Sequence, residues 1–270
     1  MRWLFALLFA VVAVLPARAQ ILNGELVQGG MVVGRTLPGT EVFLGDRRVR
    51  VSATGLFVIG FGRDHPPKAT LRIVGEGGQT SETKLDIRQR TYETQRINGL
   101  PPKMVTPPAD VLKRIRRENA EIARIRSIDS PQTWFDEKWL RPTVGTVTGV
   151  YGSQRILNGK PRRPHFGIDI AAPRGTSVIA ARDGIVRMAE DDLYYTGGTI
   201  MLDHGHGIVS VFSHLERIDV AVGEKVLAAQ VIGAVGSTGR STGPHLDWRV
   251  NWFDQRLDPA LLLVASPVGG

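Results

Sequence analysis

The sequence of 270 residues contains no cysteine. This absence excludes a disulfide-based scaffold, a thiol nucleophile, thiolate metal ligands and a lipid-modified N-terminal cysteine. Aromatic residues are also scarce, at 7% of the chain, and they form no pattern suited to stacking on bases. We therefore expect no nucleic-acid partner, although the chain is basic.

Acidic residues are fewer than basic ones: the chain has 26 aspartates and glutamates and 34 lysines and arginines, for a formal net charge of +8. A positive surface suits an anionic partner, such as a membrane surface or a cell-wall polymer, without choosing between them. The 42% of hydrophobic and 22% of charged residues are typical of a globular protein rather than a disordered one. The chain is long enough for two domains.

Long hydrophobic runs are confined to the N-terminus. After the positive Arg2, residues 4–15 are uninterruptedly apolar, and Ala17-Arg18-Ala19 has the small-x-small pattern of a cleavage site. A run of 12 residues is short for a bilayer span, which needs about 20. We interpret residues 1–19 as a cleaved export signal rather than an uncleaved anchor. The mature protein is then expected to be secreted or periplasmic, without stable membrane insertion.

Residues 20–97 have the pattern of short strands separated by turns. Two strand-like segments, 41–44 and 48–51, flank Gly45-Asp46 as in a hairpin, and residues 69–74 alternate between apolar and polar. Regular turns without a long helical period favour a small β-sandwich. Its one histidine, His65, lies beside two prolines, and we assign no chemistry to it.

Residues 98–138 are predicted to be a proline-rich and helical linker. An apolar stripe runs along one side from Val111 to Ile125, and the other side is rich in lysine and arginine. Such a basic helix could contact an anionic polymer or a membrane. We favour a spacer that packs on one side and leaves its arginines in solvent.

Residues 139–264 are dense in glycine and contain five of the six histidines. Four strand-like segments recur there, at 185–188, 199–202, 208–212 and 231–235. The overall prediction is a mostly β protein with an N-terminal β-sandwich, a helical linker and a C-terminal antiparallel β-sheet domain. The uneven distribution of histidine places the chemistry in the last of these.

Two short motifs in this region combine imidazole and carboxylate groups. His165 and Asp169 are four residues apart, and in a strand both would project to the same side. In a strand beginning at His245, the side chains of His245, Asp247 and Arg249 would likewise share one face. Histidine and aspartate both bind Zn²⁺, at about 2.0–2.2 Å. The alternative for the second motif is an Asp247–Arg249 ion pair on a solvated edge.

Five segments taken together resemble the lysostaphin/LytM-type zinc metallopeptidases of family M23. They are, in chain order, PHFGIDIAAPRGTSV (164–178), DHGHG (203–207), SHL (213–215), VGEKV (222–226) and GSTGRSTGPHL (236–246). The resemblance covers residues 142–259 and implies a small antiparallel β-sheet domain with a groove for peptide. Members of this family cleave the cross-links or stem peptides of peptidoglycan, and the resemblance implies the same activity for this chain.

The resemblance also implies roles for single residues. His165 and Asp169 match two zinc ligands, and His214 matches a histidine that positions water and stabilises the developing oxyanion. His245 matches the first histidine of a His-x-His pair, which acts as general base. The second histidine of that pair is the third zinc ligand, and this chain has Asp247 there.

Further residues are expected to be close to the site. Asn158 and Arg249 are predicted to line the substrate groove, whereas His204 and His206, which are flanked by glycines, are interpreted as turn residues rather than ligands. Replacing an imidazole by a second carboxylate would make a bound Zn²⁺ a milder Lewis acid.

Two functions follow from this resemblance. The first is an exported peptidoglycan endopeptidase that uses Zn²⁺. The alternative is a catalytically impaired LytM-like regulator that binds the wall and activates another cell-wall hydrolase.

Overall fold

A computed structural model describes residues 21–97 and 111–263. The predicted export signal and the proline-rich start of the predicted linker lie outside these residues. Within them the protein is mostly β, with antiparallel sheets and one α-helix, so the fold class predicted from the sequence is confirmed.

The N-terminal region forms two small antiparallel sheets, with strand orders β1-β2-β5 and β4-β3-β6-β7. Its strands are β1 (Ile21–Gly24), β2 (Met31–Arg35), β3 (Glu41–Leu44), β4 (Arg47–Val49), β5 (Leu56–Gly60), β6 (Lys68–Val74), β7 (Thr80–Asp86) and β8 (Thr94–Ile97). The predicted hairpin is present as β3 and β4. Buried apolar side chains from both sheets join one core, and all five residues of β5 are buried in it or beside it.

Helix α1 (Leu112–Arg126) follows the N-terminal region. Ile115 and Ile125 are its buried residues, and Ile125 packs with Met188 and Met201 of the C-terminal sheet. The opposite side carries exposed basic residues. In the described ranges, no helix has the length and apolarity needed to cross a bilayer.

The C-terminal region is built on a ten-stranded sheet, whose main path is β17-β14-β15-β16-β19-β12-β9. The strands after β8 are β9 (Thr146–Gly149), β10 (Gln154–Leu157), β11 (Lys160–Pro161), β12 (Ile168–Ala171), β13 (Ser177–Ile179), β14 (Gly184–Leu193), β15 (Gly197–Gly205), β16 (Ile208–Ile218), β17 (Lys225–Val226), β18 (Val231–Val235), β19 (His245–Trp252) and β20 (Gln255–Leu257). β10 and β11 form a separate hairpin, which β8 joins in parallel.

The N-terminal sheets contact the C-terminal region closely. A Cβ atom on Gly60 of β5 would lie 2.9 Å from Trp252 Cβ, so only glycine fits between the two regions. Arg90 forms an ion pair at 2.7 Å with Asp258, whose side chain is buried. Arg63 donates a hydrogen bond of 2.7 Å to the carbonyl oxygen of Gly152. The N-terminal region therefore supports a loop of the C-terminal region from outside.

The DHGHG segment lies in the core at the end of β15. His204 is fully buried, with Nδ1 2.6 Å from the carbonyl oxygen of Asp183 and Nε2 2.7 Å from Ser210 Oγ. His206 follows at the turn into β16 with φ of 50°, and its buried ring packs 5.0 Å from Phe135. Burial lowers the pKa of His204 and of His206 to about 4.

These two histidines make the fold sensitive to acid. Both are neutral when folded, so their stabilising effect is complete above pH 6.5 and is lost as the pH falls towards 4. We expect about 2 kcal/mol of destabilisation per histidine by pH 4.5, measured by urea unfolding at pH 7.5 and 4.5.

The matched variant is His206→Asn, because asparagine tolerates a positive φ and does not titrate. It should lose less stability than the wild type between the two pH values. An equal loss in both proteins would contradict this role for His206.

Candidate metal centre

Two carboxylates lie opposite each other in neighbouring strands. Asp169 of β12 pairs directly with Asp247 of β19 in the antiparallel register. Opposed residues of an antiparallel pair project from the same face of the sheet. The like charges are therefore brought together by the strand register, although they are far apart in the sequence.

His165 completes the group from a loop. β12 begins at Ile168, so the prediction that His165 and Asp169 share one strand is wrong. Backbone hydrogen bonds fix the loop instead: His165 N donates to Ser153 O at 2.9 Å, and Gly152 N donates to His165 O at 2.7 Å. Gly152 therefore links two neighbours: its N–H group donates to His165, and its carbonyl oxygen accepts from Arg63.

The three side chains converge at short distances. His165 Nε2 lies 3.0 Å from Asp169 Oδ1 and 3.7 Å from Asp247 Oδ1. One ligand atom from each residue lies within 4.8 Å of the others. Nε2 of His165 is buried and has no hydrogen bond of acceptable geometry, as expected for a donor atom that is aimed at a cation rather than at its neighbours. The donor set fits Zn²⁺, which binds imidazole nitrogen and carboxylate oxygen.

The carboxylates control the charge of His165. Burial acts to lower the pKa of His165, but Asp169 and Asp247 outweigh it and raise the pKa to about 9. Burial likewise acts to raise the pKa of Asp247, yet Arg249 and His165 hold it well below its usual range. Without a metal ion, therefore, a proton on His165 offsets part of the negative charge.

His214 and His245 form a pair beside this cluster. Their ring centres are 4.7 Å apart, and His245 Nε2 lies 3.8 Å from Asp169 Oδ1. His214 has φ of 66°, where a non-glycine residue is uncommon and the backbone is strained. Burial lowers the pKa of His214 below its ordinary value.

All three imidazoles present Nδ1 to a backbone carbonyl oxygen. The acceptors are Val150 O for His165 at 3.3 Å, Thr238 O for His214 at 2.8 Å and Gly243 O for His245 at 2.8 Å. A carbonyl oxygen only accepts, so Nδ1 carries the hydrogen and Nε2 of the neutral ring keeps its lone pair. This is the arrangement that metal-binding and basic histidines need.

Arg249 points at Asp247. Its Nε lies 2.9 Å from Oδ1 and 3.1 Å from Oδ2, and Nη2 donates to Oδ2. The ion pair is half-buried, since the Asp247 side chain is 4% and the Arg249 side chain 33% exposed. A contact of Arg249 with substrate stays a prediction.

The other sequence candidates lie elsewhere. Asn158 and Gly159 are the two turn residues between β10 and β11, with φ of 49° and 75°. Positive φ at both positions is typical of a type I′ hairpin turn, for which Asn-Gly is favoured. The backbone therefore explains this pair, and contact of the exposed Asn158 with substrate stays a prediction. His206 is a turn residue as predicted, whereas His204 lies within β15.

Two glycines at the site were not identified as important from the sequence. A Cβ atom on Gly149 of β9 would lie 2.2 Å from Asp169 Oδ2. A Cβ atom on Gly167 would lie 2.6 Å from Arg249 Cγ and 3.0 Å from Asp247 Oδ1. The sequence alone does not show the importance of either glycine, because the side chains that each one accommodates belong to a strand that is distant in sequence, β12 for Gly149 and β19 for Gly167.

Comparison with known proteins gives a family match over the part of the chain that contains these residues. The profile of the family described as Peptidase family M23 matches residues 163–259. The DD-carboxypeptidase/endopeptidase Mpg of Neisseria meningitidis is 40% identical over 105 residues, which are 39% of this chain and 24% of Mpg. The peptidoglycan DD-endopeptidase ShyA of Vibrio cholerae is 41% identical over 87 residues, 32% of this chain and 20% of ShyA.

The similarity to a solved structure extends further along the chain. A crystal structure described as a candidate M23 peptidase from Pseudomonas aeruginosa is 29% identical, with a TM-score of 0.70. The match covers 90% of this chain and 96% of that one. By contrast, the chain spans about a quarter or less of the length of the two sequence relatives.

The space beside Asp169 provides a test of the metal centre. In Gly149→Ala the added methyl group must displace the Asp169 carboxylate, so we expect Zn²⁺ affinity to fall roughly tenfold or more. The measurement is competition with a chromophoric chelator, with thermal melting of the metal-free protein as a check on folding.

Gly243→Ala is the matched control, because nothing lies within 4 Å of a Cβ atom there. It should bind Zn²⁺ as the wild type does. Equal affinities for the two variants would show that Asp169 is not a ligand.

Proposed function

We propose that the protein is a Zn²⁺-dependent endopeptidase that cleaves peptide bonds in peptidoglycan, since residues 163–259 match the profile of Peptidase family M23. The observation that carries this proposal is the convergence of His165, Asp169 and Asp247 beside two further imidazoles. The name of Mpg supports an endopeptidase activity, and the name of ShyA supports peptidoglycan as the substrate.

Three residues would hold the metal ion: His165 through Nε2, and Asp169 and Asp247 each through a carboxylate oxygen. When bound, Zn²⁺ would polarise the carbonyl group of the scissile amide and lower the pKa of a water molecule. His165 and Asp247 are buried and the Asp169 side chain is 13% exposed, and this burial strengthens the interactions between the charged groups.

His245 is proposed as the general base. The hydrogen bond from its Nδ1 to Gly243 O leaves Nε2 able to accept the proton of the attacking water and to return it to the leaving amine. Its distance of 3.8 Å from Asp169 places Nε2 at the edge of the metal centre.

His214 is proposed to position the same water molecule. With Nδ1 donating to Thr238 O, the neutral ring accepts at Nε2 and has no second hydrogen to donate. This favours the water-positioning part of the role that the resemblance implies over stabilisation of an oxyanion.

Export to the periplasm or beyond belongs to the same proposal. The apolar run and small-x-small pattern of residues 1–19 support it. Residues 1–19 contain Arg2 and Arg18 and no acidic residue, so the chain without them has a formal net charge of +6, which suits an anionic cell-wall polymer as the partner.

A second candidate function is a non-catalytic regulator of another cell-wall hydrolase. The specific observation in its favour is that Arg249 already contacts both oxygens of Asp247. If this ion pair prevails over the metal, the domain would bind peptidoglycan without cleaving it.

Replacing the proposed general base, His245, distinguishes the two candidate functions. We expect His245→Ala to lower the release of soluble muropeptides from purified sacculi by roughly 10²–10⁴-fold, the contribution typical of a general base. His65→Ala is the control, since His65 lies in the N-terminal region away from this site, and it should release fragments as the wild type does. Sacculus binding without His245-dependent release would contradict the enzyme and favour the regulator.

Metal removal is an independent check. Dialysis against a chelator should abolish muropeptide release, and one equivalent of Zn²⁺ should restore it, because the two carboxylates and His165 otherwise provide no group that polarises an amide. Release that persists in protein shown by elemental analysis to be metal-free would exclude a metallopeptidase.

A further inference from the structure

We propose that Arg249 is a positioning and charge-balancing residue of the metal centre, so that Asp247 and Arg249 together replace one neutral ligand. This inference rests on the metal centre of the proposed function. It assigns a role to the ion pair that differs from both a substrate contact and a block on metal binding.

The geometry leaves Asp247 able to bind a metal ion while it is paired. Arg249 Nη2 is directed to Oδ2, whereas Oδ1 is the atom that faces His165 Nε2 at 3.7 Å. Each carboxylate oxygen has two lone pairs, so Oδ1 can accept from Arg249 Nε at 2.9 Å and still offer a lone pair to a cation. Carboxylate ligands are commonly oriented by such outer hydrogen bonds.

The charges give the reason for the pair. A divalent ion with Asp169, Asp247 and neutral His165 has no net charge, which weakens the ion as a Lewis acid. The guanidinium of Arg249 adds one positive charge, and the total becomes that of a site with a single carboxylate and two imidazoles. Asp247 alone would lower the net charge of the centre by one, and Asp247 with Arg249 leaves it unchanged.

The neighbouring backbone leaves space for the Asp247–Arg249 ion pair. Arg249 lies two residues after Asp247 in β19, so both side chains project from one face of the sheet. Gly167 lies against them, and any side chain there would meet Arg249 Cγ at 2.6 Å. The loop that carries His165 thus leaves room for the arginine next to the ligand.

The test compares Zn²⁺ affinity in four proteins: the wild type, Arg249→Gln, Asp247→His and the double variant. Arg249→Gln should bind roughly tenfold tighter or more, because a positive charge near the ion is removed. Asp247→His should bind weaker by a similar factor, because it leaves Arg249 unpaired beside the ion. The double variant should return to roughly the wild-type affinity.

Two further readouts exclude a purely structural effect. Arg249→Lys keeps the charge and should bind Zn²⁺ within a few-fold of the wild type. The visible spectrum of the Co²⁺-loaded proteins reports the ligand set, and it should be alike in the wild type and Arg249→Gln. Melting of the metal-free proteins shows whether each variant is folded.

The inference is tested by the direction in which Zn²⁺ affinity changes in each of the two single variants. Tighter binding by Asp247→His alone would show that Arg249 only blocks Asp247. Unchanged binding by Arg249→Gln would show that its charge does not matter, and weaker binding would show that it acts only by holding Asp247 in place. Each of these results overturns this inference. A wild type that binds Zn²⁺ but releases no muropeptides would instead overturn the proposed activity, whereas no Zn²⁺ binding by any of the four would overturn both.

Discussion

The structure depends on the juxtaposition of Asp169 and Asp247 across two adjacent strands. Like charges that face each other in a buried position are unfavourable unless cations offset them. The protein surrounds this pair with His165 on one side and Arg249 on the other. A divalent cation binds where the potential is negative. The pairing of the two carboxylates, which is unfavourable by itself, therefore also forms the proposed metal site.

The order of the central strands and one loop bring three histidines close to Asp169 and Asp247. β19 lies between β16 and β12, which brings His214 and His245 to one end of the sheet. His165 reaches the site from a loop that is held by the backbone of Gly152 and Ser153. Since Arg63 of the N-terminal region donates to Gly152, the N-terminal region contacts the backbone that supports His165, a proposed metal ligand.

Much of this arrangement could be predicted from the sequence, and the physical reason is local periodicity. A period of two placed His245, Asp247 and Arg249 on one face of a strand, and β19 has that form. The segment 231–235 coincides with β18. The joint order of five motifs indicated the fold class of the C-terminal region, which no single motif could do.

The rest depends on contacts between distant parts of the chain. His165 lies in a loop whose path is set by hydrogen bonds to residues 152 and 153, so strand spacing could not place it. The neighbouring Gly205 predicts a turn at His204 as well as at His206, yet His204 is a strand residue that bonds Ser210. The room that Gly149 leaves for Asp169 is visible only once β9 is placed beside β12.

The most direct test of the account is the position of the metal ion itself, by anomalous diffraction at the zinc edge from crystals of the Zn²⁺-loaded protein. The account predicts one peak at about 2.0–2.2 Å from His165 Nε2 and from a carboxylate oxygen of Asp169 and of Asp247, with Arg249 still bonded to Asp247. A peak that lacks Asp247 as a ligand, or no peak between these three side chains, would contradict it.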